Sequence, residues 1–178
     1  TISSPYYVTT TGVIVFSINK IDLKLTYEDM SKTFDRLSAN FNYQITPLDI
    51  NPTITLYNSI GNRILYATTV GDYTCVVYIP STNNYNGINE TISFSITPVD
   101  LSIDINSSYL TQTYTGNNVS DPSINIGLPD VYVSFEYYAY DDLQVIINNP
   151  INVGKYYVNV VITSNNNSYS STNKMFVF

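Results

Sequence analysis

Apolar residues recur at every second position through several short stretches of the chain, the period of a half-buried β-strand. Val13-Ile14-Val15-Phe16, Thr53-Ile54-Thr55-Leu56-Tyr57, Thr74-Cys75-Val76-Val77-Tyr78-Ile79, Val131-Tyr132-Val133-Ser134-Phe135 and Val158-Asn159-Val160-Val161-Ile162 are β-branched or aromatic. Clusters of Asn, Gly, Pro and Ser bound them, which predicts strands. Only 27–37 offers helical spacing, through Met30, Phe34 and Leu37. Its counterpart, 105–117, is rich in Ser, Thr and Gly, so both are expected to be strand plus loop with at most one helical turn. Alternation also assigns faces. Tyr73, Cys75, Val77 and Ile79 share one side of their strand, as do Tyr156, Val158, Val160 and Ile162 of theirs, and these sides are expected to be core.

The pattern repeats. Tyr7 to Phe16, Tyr85 to Phe94 and Tyr169 to Phe178 each set a Tyr nine positions before a Phe. Phe16-Ser17-Ile18 and Phe94-Ser95-Ile96 open similar stretches 78 residues apart, and Gly71-Asp72-Tyr73 recurs as Gly154-Lys155-Tyr156 after 83. A period of about 80 residues is one small domain copied. The expected organisation is 18–96 as one repeat, 97–178 as the next, and 1–17 as the closing strand of a preceding repeat or a donor strand. Gly71 and Gly154 are expected to allow a turn or close approach that a Cβ would block, with Tyr73 and Tyr156 closing one end of each core.

Further motifs give the repeats a likeness. Ile96-Thr97-Pro98-Val99-Asp100-Leu101, Tyr114-Thr115-Gly116, Gly154-Lys155-Tyr156 and Asn167-Ser168-Tyr169 through Phe178 resemble the MBG-type repeats of bacterial surface adhesins. The first repeat departs from that pattern, with Phe34-Asp35-Arg36 at the corner and Asn19-Lys20 in place of Thr97-Pro98. The resemblance implies an all-β chain of small β-sandwich or β-grasp-like repeats joined end to end. It also implies a spacer role in a stalk, with no catalytic residues or cofactors.

Composition narrows the partners. Seven basic against fourteen acidic side chains give a net charge of −7. The first repeat holds five of the basic residues and seven of the acidic, the second two and seven. A phosphate backbone or an anionic lipid surface would be repelled, which argues against nucleic acid and membrane partners. There is no apolar run long enough to span a bilayer, and no signal-peptide pattern. Solubility has to come from Asn, Ser and Thr, which suits an extracellular, cell-surface or virion-surface location and is also the composition that an AT-rich genome produces.

Candidate chemistry is thin. Histidine is absent and Cys75 is the only cysteine, so no internal disulfide or His/Cys metal cluster can form. Cys75 falls on a predicted core face with no His to activate it, and a buried, inert thiol is expected. Ser and Thr nucleophiles lack a base for the same reason. Asp121, Asp130, Glu136, Asp141 and Asp142 could supply oxygen ligands to calcium or a carboxylate pair for sugar hydrolysis, but without the spacing of either; solvated loop charges are the plainer reading. Tyr132, Tyr138 and Tyr140 share the outer face of their strand, a candidate stripe for a glycan, a receptor or a partner subunit, although Tyr is also an ordinary strand residue. Asn89, Asn106, Asn118 and Asn166 open glycosylation sequons. A Lys–Asn isopeptide is disfavoured, because Lys20 and Lys24 have Pro98 and Ser102 as counterparts.

The residues therefore point to a non-enzymatic structural segment of a surface stalk, fibre or filament, with a carbohydrate- or receptor-binding module as the alternative. Val13, Ile14, Val15 and Phe16 would leave an apolar edge unpaired. Together with Thr1 in place of Met, that predicts either an excerpt of a longer array or a processed terminus that adds a strand to a neighbouring copy.

Overall fold

The computed structural model describes residues 2–4 and 7–178. Strands account for nearly all its regular structure: β1 (Ile2–Ser4), β2 (Tyr7–Thr10), β3 (Lys24–Tyr27), β4 (Lys32–Thr33), β5 (Tyr43–Thr46), β6 (Thr53–Asn58), β7 (Arg63–Ile64), β8 (Gly71–Ile79), β9 (Ile88–Thr97), β10 (Val131–Ala139), β11 (Ile146–Ile147), β12 (Tyr156–Ser164) and β13 (Thr172–Val177). The chain is all-β, and one 3-10 turn at Ser107–Leu110 is the only helical element among the described residues.

Two larger sheets run in the same order. The first is β7-β6-β8-β9-β4 and the second β11-β10-β12-β13. In each, a long strand is flanked antiparallel by two others: β8 pairs Tyr73 with Phe94 and Leu56 with Cys75, and β12 pairs Val158 with Tyr137 and Phe176. The sequence alternation sorts these strands as expected. Cys75, Val77, Val158, Val160 and Ile162 are fully buried, and Tyr73 and Ile79 nearly so; Tyr156 is half-buried. Burial also raises the pKa of the Cys75 thiol, which suits an inert core residue.

Each sheet has its own core. Leu25 of β3 and Ile45 of β5, paired in a two-stranded sheet, pack with Cys75, Val77, Ile92 and Phe94. That makes the first repeat a small sandwich. In the second, Leu101, Ile103, Ile105, Ile124 and Ile126 cover Val158, Val160 and Ile162 without forming a ladder. Apolar contact alone supplies that layer, because burial is non-directional and needs no strand pairing.

The stretch 27–37 is strand plus loop as expected, with the end of β3 and the two residues of β4; Met30 is buried while Leu37 is exposed. One expectation changes. Val13-Ile14-Val15-Phe16 lies in no strand and is 80–91% exposed, because its apolar run meets no partner strand. The strands of this segment are instead β1 and β2, which pair with each other. Thr1, Pro5 and Tyr6 lie outside the described residues.

Replacing Ile162 by Ala should cost about 2–5 kcal/mol and lower hydrogen-exchange protection in β10, β12 and β13. Ile79→Ala should do the same to β6, β8 and β9. Equal loss of protection on both sides from either variant would show a single shared core.

Candidate functional site: the joint between the two repeats

The Gly-x-Tyr motif builds the same corner twice. The Tyr73 hydroxyl donates to the Thr69 carbonyl at 2.6 Å, and the Thr69 hydroxyl lies 2.8 Å from the Tyr73 hydroxyl oxygen. The Tyr156 hydroxyl donates to the Asn152 carbonyl at 2.9 Å. Both rings fold back four residues onto their own strand entry and pack on the closing strand, with Tyr73 to Phe94 at 5.3 Å and Tyr156 to Phe178 at 5.8 Å between centroids. Glycine is favoured two residues earlier, for a different reason in each copy. Gly71 has φ +151°, and a Cβ on Gly154 would sit 3.3 Å from the Tyr156 hydroxyl oxygen.

The start of each repeat is tied to its own turn. Ile21 N–H donates to the Asn84 carbonyl and the Ile21 carbonyl accepts from Asn86 N–H, both at 2.9 Å around Tyr85. Val99 does the same with Ser168 at 3.0 Å and Ser170 at 2.9 Å around Tyr169. The recurrent Tyr is therefore the residue beside which the opening segment docks.

Between these parts lies the joint. β4 pairs in parallel with the end of β9, Lys32 with Ile96 and Thr33 with Thr97, and Phe34 N–H donates to the Thr97 carbonyl at 2.9 Å. Only Pro98 separates Thr97 from Val99. The corner Phe34-Asp35-Arg36 then reaches across. The Phe34 ring meets Tyr169 edge-on at 6.0 Å and 89°, and Arg36 Nη2 donates to the Tyr169 hydroxyl at 3.0 Å. Asp35 holds the corner's shape by accepting from Leu37 N–H at 2.9 Å and pairing with Lys32 at 2.6 Å, and these contacts keep its carboxyl below the usual carboxylate range. Tyr169 is left 8% exposed.

The second repeat carries the same corner. Thr115 accepts from Asn117 N–H at 3.4 Å as Asp35 does from Leu37, and Gly116 has φ 76° where Arg36 has φ 67°. Tyr114, in the place of Phe34, is 62% exposed.

The other candidates fall elsewhere. Tyr138 and Tyr140 meet at Tyr157, on which Tyr140 stacks at 5.3 Å and 10° with Lys155 Nζ 5.4 Å from its ring; Tyr132 lies toward the opposite end of β10. Tyr138 donates to Glu136 at 2.9 Å and the nearly buried Asn159 does so at 3.0 Å, which lowers the Glu136 pKa. The carboxylates are dispersed: Asp121 accepts from the buried Tyr137 at 2.8 Å, Asp130 from Asn166 and Asp142 from Gln144 N–H. Among the described residues no three His, Cys, Asp or Glu side chains gather as a metal site. Burial and the bonds to Tyr109 and Asp121 push the Tyr137 hydroxyl pKa far up, so it stays protonated and satisfied in the core. All four sequon asparagines are exposed; Asn106 caps the 3-10 turn through Ser108 N–H at 3.0 Å. No family model, curated protein or solved structure matches the chain.

Tyr73→Phe should remove one hydroxyl and about 0.5–1.5 kcal/mol, and Tyr156→Phe a similar amount, measured by chemical denaturation. A larger loss is expected from either Tyr→Ala, about 3–5 kcal/mol, because the ring also packs the closing strand. No change in Tyr156→Ala would remove the corner from the folding argument.

Proposed function

We propose that this chain is a non-enzymatic structural segment, a spacer in the stalk, fibre or filament of an extracellular protein on a cell or virion surface. The observation that carries the reading is the joint. A single proline between the last ladder residue of one repeat and the first docked residue of the next leaves no flexible coil, and Pro98 itself has a fixed φ. The Phe34 and Arg36 contacts to Tyr169 brace that connection from the side. A spacer has to hold its repeats at a set angle, and these contacts are of the kind that would do so. The likeness to MBG-type adhesin repeats, the Asn-, Ser- and Thr-rich surface and the exposed sequons agree with a surface location.

Carbohydrate or receptor binding through Tyr132, Tyr138 and Tyr140 is the second reading. Its support is the exposure of Tyr132 and Tyr140. Against it, the Tyr140 face is spent on Tyr157, and the hydroxyl of Tyr138 is spent on Glu136. A glycan array separates the two, since a spacer should bind nothing.

Small-angle scattering of the chain should give the profile of a stiff, elongated particle. Phe34→Ala combined with Arg36→Ala should broaden the distribution of end-to-end distances while each repeat keeps its fold. A compact or freely hinged parent chain would overturn the spacer reading.

A further inference from the structure

Every parallel pairing among the described residues joins an early segment of a repeat to a closing strand or to the turn that leads into one. Ile21 pairs in parallel with Tyr85, Val99 with Tyr169, and β4 with the end of β9. The longer ladders are all antiparallel. Direction matters when a chain is stretched. The early segment is drawn toward its N-terminal side and the closing strand toward its C-terminal side, so two strands that run the same way are pulled past each other. All the bonds between them are then loaded at once. A hairpin stretched at its open end, as β1 and β2 would be through Ile2 and Thr10, gives up its bonds one at a time.

Tension would enter the first repeat at Ile21. Its two backbone bonds around Tyr85 are flanked by side chains, with Asn86 Nδ2 donating to Asp22 at 2.6 Å and Lys20 Nζ to the Ser81 hydroxyl at 3.4 Å. From Tyr85 the load runs along β9 to Thr97, through Pro98, and into Val99, bonded beside Tyr169 just before β13. Residues 22–84, with most of the first core, lie off that line. If the Ile21 bridge yields, only 22–31 can be drawn out before β4 takes the load. There Lys32 and Thr33 pair with Ile96 and Thr97, and Phe34 N–H holds the Thr97 carbonyl at 2.9 Å, again in parallel.

We propose that these parallel pairings are tension clamps: the Ile21 bridge and β4 hold the first repeat closed in shear when the chain is stretched, and β9 passes the pull directly into the second repeat. The proposal rests on the spacer reading and adds a load-bearing role to it. Forced unfolding is governed by the barrier out of the folded state, so a clamp raises resistance to pulling without a matching gain in equilibrium stability.

Single-molecule force spectroscopy on the intact chain, held by handles at its two ends, tests the clamps. Each repeat should open in a main step that releases roughly 200–250 Å, at about 3.5 Å per residue. Ile21→Pro removes the N–H bonded to Asn84 at a position outside every ladder. It should lower the force at which one repeat begins to open by about half, since one of two backbone bonds sharing the load is gone, and leave the other repeat unchanged. Asn86→Ala, a milder change that removes the bond to Asp22, should act in the same direction. Phe34→Pro should lower the force of the main step below that of Phe34→Ala, which loses the ring but keeps the N–H bonded to Thr97. Ile79→Ala is the contrast: its buried side chain lies off the load line. It should shift the chemical denaturation midpoint more than Ile21→Pro or Asn86→Ala while leaving the forces nearly unchanged. Forces that simply follow the denaturation midpoints, or that ignore both prolines, would overturn the clamps. Scattering of the parent keeps the two readings apart. A stiff parent whose forces ignore both prolines rejects only the clamps, whereas a compact or hinged parent whose forces fall with them rejects only the spacer reading.

Discussion

The strand that closes the first core also begins the connection to the second, and the rest of the arrangement depends on that shared strand. β9 pairs with β8 along its whole length, receives β4 on its other side at Ile96 and Thr97, and passes through Pro98 directly into the docked Val99. Rotation at the joint would have to break the β4 ladder or the Val99 bridge. Neither is strong alone, since a hydrogen bond contributes about 0.5–1.5 kcal/mol net. Their effect is geometric: they act on both sides of one proline, so the chain has few torsions left to turn about. Orientation is then fixed more by the shortness of the connection than by the energy of any contact.

The alternation along β8 and β12 was fully legible, because a strand buried on one face writes its period into the sequence. Cys75 reads as core for the same reason that Val158 does. Gly-x-Tyr was legible as a motif, though its chemistry was less so: a hydroxyl returning four residues to Thr69 or Asn152 depends on the path of the loop, which no pattern encodes. The contact of Arg36 with Tyr169 spans 133 residues and was invisible, appearing only as a departure from the repeat. Val13 to Phe16 failed as a strand for a related reason. β-propensity reports how well a residue suits a paired, half-buried surface, and pairing is a property of the surroundings. The missing ladder over the second core is the converse, where Leu101, Ile103 and Ile124 cover the sheet as irregular chain.

The two sheets differ most where they face outward. Thr53, Thr55, Thr74, Thr91, Ser93 and Ser95 give the first a hydroxyl-covered surface on β6, β8 and β9, and a shallow open depression lies over part of it. In the second, Ile146, Tyr138, Tyr157 and Val177 form a row across four strands. That row is partly closed by its own rings, and Glu136 beneath it bonds both Tyr138 and Asn159. The inner Tyr73, Cys75, Val77 and Ile79 match the apolar or aromatic Tyr156, Val158, Val160 and Ile162, whereas the outer Thr74, Thr91 and Ser93 match Tyr157, Met175 and Val177.

Divergence at the corner is more specific. Arg36 and Gly116 occupy the same turn with φ of 67° and 76°. Glycine takes that conformation freely, whereas an L-residue with a Cβ gives up about 1–2 kcal/mol. The Arg36 hydrogen bond to Tyr169, partly exposed to water, returns about the same amount. Arginine is thus near neutral for stability at this position, and its value lies in direction: it reaches a single hydroxyl on the next repeat, on the ring that Phe34 meets edge-on. The corner that meets Tyr169 carries the strained, reaching residue, and the corner at Gly116 carries the relaxed one beside an exposed Tyr114.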